Sequence, residues 1–418
     1  MRRKRGGNME LNSTNSKLYL IIILIISVVL PASSFAEGKF TLKPKLSASW
    51  KVDDNLYKAE AAEREVTTTL IQPGVEIGFQ TPKSMITFDY TLDSYDYSDE
   101  DPVPAGAMSA DSEDYTGHTA VFDLKAAPTK KVKLGLSNSY MKTRDPANSD
   151  AFNNSIARDK YSINRLTPQV FYDFGGKFTA GLQFRRTETD YDIGTREDST
   201  ESRPIFDMIY NFNKTTSVDL EYQYWDMDYD LGTSDYDSIQ AKLIFRKQYK
   251  YFAVEAGAGY QSRDFDDPTL AGIDMFTYRF GIMGQNPPAP EAMPKSRLSL
   301  ILESNLNDAG TGDAYYTATR FTFNAGHTFM EKFPVELTGK LQNSDYERTA
   351  GLTPVGTTEL RDDDLFTIEG SVGYLFNEWL NFKVTTGHEN RESNLAGKDY
   401  DNNYMKFLLK FSYSFDKR

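Results

Sequence analysis

From Glu37 onward the chain alternates apolar and polar residues with a period of two. Val218, Leu220, Tyr222 and Tyr224 are interleaved with Asp219, Glu221 and Gln223. Phe178, Ala180, Leu182 and Phe184 are interleaved with Thr179, Gly181, Gln183 and Arg185, and Phe407 to Phe415 repeats the pattern near the end. A period of two places the two sets on opposite faces of a strand. Helical spacing is absent after the first segment. Reading these runs from Thr41–Val52 to Asn402–Phe415 predicts about 18 strands, within roughly 16–20 because element boundaries are the weakest part of such a reading.

The connections alternate in length. Short ones such as Gln80-Thr81-Pro82-Lys83, Gly175-Gly176 and Met330-Glu331-Lys332 take turns with longer, mostly acidic ones. The long set includes Asp53 to Arg64, Asp99 to Asp114, Arg144 to Arg158, Asn343 to Asp362 and Arg391 to Asp399. Asn286 to Lys295 breaks the rule, being proline-rich and long on the short side. Outgoing strands end in aromatic–acid clusters, Asp190-Tyr191-Asp192, Asp228-Tyr229-Asp230, Asp264-Phe265-Asp266 and Asp345-Tyr346-Glu347. Short turns on one rim, long loops on the other and an aromatic girdle are the pattern of a transmembrane antiparallel up-and-down β-barrel. The fold class expected is therefore all-β, with short periplasmic turns and long acidic extracellular loops.

Composition agrees with this reading. Mean hydropathy is polar at −0.54, yet the chain has 27 Phe and 26 Tyr. A barrel turns its aromatics to lipid and stays polar inside. There is no Cys, which excludes disulfides, thiolate metal sites and covalent haem attachment. A formal charge of −13 disfavours nucleic acid as a partner.

The N-terminus has its own pattern. Arg2, Arg3, Lys4 and Arg5 precede the apolar run Leu18 to Leu30, and Ser34-Phe35-Ala36 follows. The run is short of the ~20 apolar residues that a spanning helix needs. It reads as a signal peptide, residues 1–36, cleaved to leave an outer-membrane barrel over residues 37–418 of a Gram-negative-type bacterium.

Thr67-Thr68-Thr69-Leu70-Ile71-Gln72-Pro73-Gly74-Val75, Asp159-Lys160-Tyr161, Arg165-Leu166-Thr167-Pro168 and the stretch Arg391-Glu392-Ser393-Asn394 through Asn403 resemble motifs of the putative β-barrel porin-2 family. The resemblance implies a porin-like barrel of the outer membrane, sometimes found beside exopolysaccharide export systems. It brings no catalytic residues. The ending Asp416-Lys417-Arg418 after Phe415 departs from a terminal aromatic.

With the apolar phase assigned to lipid, the other phase lines the lumen. Its charged candidates are Lys45, Glu76, Asp89, Lys133, Arg165, Arg185, Asp219, Glu221, Lys242, Arg246, Glu255, Arg279, Arg320, Lys340, Glu369, Lys383, Lys406 and Lys410. With Lys43, Arg297, Asp123, Asp207, Glu303 and Glu336 added from the same phase, bases slightly outnumber acids, 14 to 10, which points to weak anion or mixed preference. Asp101, Asp114, Asp228, Asp230, Asp266 and Asp363 are expected as acids of the extracellular rim. No EF-hand spacing accompanies them, so solvated loops are favoured over a metal site. The three histidines, His118, His327 and His388, sit in no hydrolase motif. His388-Glu389 is the one pairing with catalytic residue types at a rim, and an enzyme is not expected.

The expectation is a channel for passive diffusion of small hydrophilic solutes, without cofactor. The alternatives are an exit barrel for an exported polysaccharide and a sheath around a multihaem cytochrome. Inward glycines (Gly74, Gly78, Gly181, Gly257, Gly281 and Gly373) suit a sheath or a widened pore. Partners expected are outer-membrane lipid and lipopolysaccharide, the barrel-assembly machinery and the solute.

Overall fold

Each alternating run becomes a strand. The computed structural model describes residues 38–148, 152, 156, 158–192, 196–230, 235–268, 270–287, 294–308, 315–346 and 360–417. Residues 1–37, with the expected leader, most of the proline-rich connection and residues 347–359 of the Asn343–Asp362 loop lie outside them. Strands β1 (Lys39–Asp53) to β18 (Tyr400–Ser412) each pair antiparallel with the next, and β1 pairs with β18 to close the barrel. A short β19 (Phe415–Lys417) continues β18 in the same register, with Phe415 opposite Leu42 just as Ser412 is opposite Lys45. The interruption lies opposite Pro44, which has no N–H to offer the ladder. The barrel thus has eighteen strands, the last in two segments. Asp416 and Lys417 still pair with β1, so the chain continues in strand beyond the final aromatic.

Closure is what makes this sheet stable in lipid. An open sheet would leave a row of unpaired backbone groups where no water can satisfy them. The turns are as tight as their residues allow. Gly175 and Gly176 join β6 (Tyr161–Gly175) to β7 (Phe178–Tyr191) with φ of 98° and 73°. Two consecutive positive φ values are those of a type I′ hairpin, open to glycine at no steric cost.

The outward phase is apolar and uncovered. Leu182, Leu243, Phe276, Leu341 and Val372 are each more than half exposed and lie on five different strands around the circumference. An uncovered apolar band of that extent marks a lipid-facing surface. Leu243 sits in its middle, opposite Leu220 and Ala258. Leu243→Arg is expected to destabilise the barrel by about 2–4 kcal/mol in lipid. Urea unfolding in vesicles, followed by heat-modifiable gel migration, checks it; an unchanged midpoint would place this face in water.

Candidate functional site

Because directly opposite residues share a face, the register fixes which side chains point inward. Lys45, Glu76, Asp89, Lys133, Arg165, Arg185, Asp219, Glu221, Lys242, Arg246, Glu255, Arg279, Arg320, Lys340, Glu369, Lys383, Lys406 and Lys410 all fall on the face opposite the apolar band. Their surroundings differ sharply.

One group forms a continuous belt of alternating sign. Asp219 on β9 (Thr216–Tyr229) binds Arg246 on β10 (Tyr236–Gln248) at 2.9 Å. Arg246 reaches Glu255 on β11 (Phe252–Phe265) at 3.0 Å, and Glu255 takes Arg279 on β12 (Ile273–Asn286) at 3.2 Å. Arg279 meets Glu303 on β13 (Ser296–Asp308) at 2.5 Å, and Glu303 takes Arg320 on β14 (Tyr315–Phe329) at 2.7 Å. Six strands are tied by charges placed one per strand. Elsewhere the pairs are separate. Lys45 reaches Asp89 on β3 (Ser84–Asp99) at 2.5 Å, passing over Gly74 on β2 (Val66–Gln80), where an added Cβ would lie 2.7 Å from the Tyr90 carbonyl oxygen. Glu76 takes Lys43 at 3.6 Å, Lys383 reaches Glu336 at 2.6 Å, Arg185 reaches Glu201 at 3.0 Å, and Glu369 accepts the Tyr404 hydroxyl. Arg165, Lys133, Lys242, Lys340, Lys406 and Lys410 make no ion pair among the described residues.

The loop between β5 (Val132–Thr143) and β6 folds into the barrel. Its Phe152 is 3% exposed and packs with Tyr316, Ala318 and Tyr346. Those residues belong to β14 and β15 (Phe333–Tyr346), nine strands away from β5 and β6 and so on the far wall of an eighteen-strand barrel. The Arg320 guanidinium, at the end of the belt, stacks 4.1 Å over the Phe152 ring. At the loop's other end Arg158 donates to Glu113 at 3.1 Å and to the Tyr97 hydroxyl at 2.7 Å. The loop is therefore held at two places, by a buried ring under a guanidinium at one and by a charged fork at the other.

It lies between two cavities. The larger, about 840 Å³, is bounded by Asn148 and Phe152 of the loop, by β6 to β11 and by Asn305 to Asn307 of β13. The smaller, about 450 Å³, is bounded by Asp145, Pro146, Ile156 and Arg158 of the same loop and by strands flanking the β1–β18 seam. The larger is strongly basic, with Arg165, Arg185, Arg203, Lys242 and Arg263 against Glu201 and Glu221. The smaller is nearly balanced, with five basic and four acidic side chains.

Several expectations are corrected. Asp363 is not a rim acid in water: it is 1% exposed, paired with Arg361 at 2.5 Å and 3.9 Å from Arg391. It lies in strand β16 (Asp362–Leu375), on the inward phase, where burial obliges it to pair. Asp101 and Asp114 remain at the rim but accept the backbone N–H groups of Glu65 and Tyr97, so they brace the loops. Asp228 and Asp230 lie at the outer end of β9, and Asp266 follows β11; Asp230 and Asp266 each donate a backbone N–H to a neighbouring acid's carbonyl. The inward glycines do not simply widen the pore. At Gly181 the Phe171 ring occupies the space of the missing side chain, and at Gly373 Pro334 does; Gly78, Gly257 and Gly281 meet neighbours only at ordinary contact distance. His388 and Glu389 face opposite sides of the sheet, since successive strand residues alternate. His388 bonds Asn403 at 2.9 Å, while Glu389 takes Lys58 at 2.6 Å, so the two assemble no dyad.

Arg203, Arg263, Glu201 and Trp225 were not singled out from the sequence, although they line the larger cavity. Extending the strand phase upward by two residues from Ile205, Gln261 and Gln223 finds Arg203, Arg263 and Trp225. The inward seat of Phe152 carries no such signal.

Residues 251–413, β11 to β18, match the model of the family described as Putative beta-barrel porin 2. The closing motif Arg391 to Asn403 falls inside that stretch. No curated protein matches the chain by sequence. Among solved structures it is similar to OccAB2 of Acinetobacter baumannii, at 10% identity and a TM-score of 0.47, covering 90% of this chain and 98% of that one. It is also similar to OpdK of Pseudomonas aeruginosa in a structure with vanillate, at 11% identity and a TM-score of 0.46, covering 90% and 99%. The likeness extends to the barrel alone. What the chain itself presents is a closed antiparallel β-barrel with an apolar outer band, and a loop whose Phe152 reaches the far wall of the lumen.

Proposed function

We propose that the protein is a diffusion channel for small hydrophilic solutes, exported by a cleaved leader and inserted by the barrel-assembly machinery. The observation that carries this reading is the clamped loop. Its described residues stand between two cavities of about 840 and 450 Å³, both lined by charged and hydrogen-bonding side chains. A barrel of this strand number holds an aqueous channel, and wall charges then set ion preference. A polysaccharide exit or a cytochrome sheath needs a wide, unobstructed lumen, so the position of Phe152 favours small solutes.

Among the described residues, wall cations without an ion pair outnumber such acids, which supports a mild preference for anions. In a planar bilayer, the purified protein is expected to give open steps on the order of a nanosiemens in molar KCl. Under a KCl gradient the reversal potential is expected to take the sign of chloride permeation. A protein that inserts yet stays electrically silent would overturn the reading.

A further inference from the structure

The larger chamber contains donors that the fold leaves without acceptors. Arg263, 2% exposed, lies 3.8 Å over the Tyr236 ring, and its Nε and Nη1 have no hydrogen-bond partner. Trp225, 4% exposed, has no partner for its indole N–H. Arg203 stacks 4.1 Å over Trp225, and its Nε is likewise unpartnered. All three side chains line the same cavity. Glu201 takes Arg185 and Arg203, but no described carboxylate comes within ion-pair distance of Arg263 or Lys242.

Buried donors without acceptors are costly, and native proteins rarely keep several together unless something else satisfies them. Stacking on an aromatic face also fixes the plane of each guanidinium, and a guanidinium held in place suits bidentate oxyanions. The chamber volume lies within the range of small-molecule sites.

We infer that this chamber is a binding site for a small oxyanionic solute, a phosphate or carboxylate group held by the Arg203 and Arg263 edges with the Trp225 indole N–H beside them. The inference rests on the diffusion reading for the solute's passage but not for its binding.

Tryptophan fluorescence tests it without requiring conduction. In a Trp50→Phe, Trp379→Phe background, Trp225 is the remaining indole. Titration of the folded protein in detergent with sodium phosphate, or with sodium acetate at equal ionic strength, is expected to give a saturable change absent with sodium chloride. Whichever oxyanion responds names the group recognised. Arg263→Gln, with heat-modifiable migration retained, is expected to weaken that response at least tenfold, as is Arg203→Gln if the first variant fails to fold. Equal, non-saturable changes with all three salts, or an unaltered response in a folded variant, would overturn the site. A silent bilayer with a saturable response would sink only the diffusion reading.

Discussion

Removing residues 147–157 and joining Pro146 to Arg158 through two glycines is expected to raise single-channel conductance by about two- to threefold. The loop crosses to the wall opposite its own strands, and the two cavities of about 840 and 450 Å³ lie on either side of it. Without it they merge, and the narrowest cross-section becomes that of the bare barrel. The barrel itself is expected to survive, because its ladders run from strand to strand and do not pass through the loop. A milder variant, Phe152→Ala, removes the ring from its seat on Tyr316 and Tyr346 and from beneath Arg320. It is expected to convert a steady current into one that flickers, as the tip leaves the far wall. Single-channel recording separates the cases. Unchanged conductance in the deletion variant would mean that the passage limiting the current lies elsewhere.

Glu303→Gln is expected to be the most damaging single change inside the lumen. This carboxylate is 8% exposed and takes both Arg279 and Arg320. Neutralising it leaves two guanidiniums facing each other with no acid between them. Breaking a buried pair costs several kcal/mol, but Arg279 is nearly half exposed and water screens its share, so a loss of about 2 kcal/mol is expected. Two readouts move together. The unfolding midpoint falls, and the reversal potential shifts further toward chloride, because the wall gains a net positive charge. Arg320 also holds the Phe152 ring, so current noise is expected to rise. A shift in potential with no loss of stability would show that the belt tunes selectivity without bracing the wall.

The alternation of residue types carried most of the fold. Val218, Leu220 and Tyr222 could be assigned to lipid, and Asp219 and Glu221 to the lumen, because side chains on a strand change face at every step. That rule is local, so it holds strand by strand whatever the rest of the chain does. It also placed eighteen strands and the alternation of short and long connections, since turn residues such as Gly175 and Gly176 mark their own positions. Asp363 shows where such reading stops. Its three-acid run looked like a solvated rim, but the strand begins one residue earlier and carries it inward to Arg361 and Arg391.

What the sequence by itself determined is the parity of each residue, and with it a closed barrel with an apolar exterior and a charged interior. Only the tertiary structure decided which charges meet, because a pair such as Lys45–Asp89 spans two strands and depends on their relative stagger. It alone decided where Phe152 is seated. A loop has no periodicity to read, and Phe152 finds its partners more than 160 positions further along the chain, on a wall that closure brings opposite.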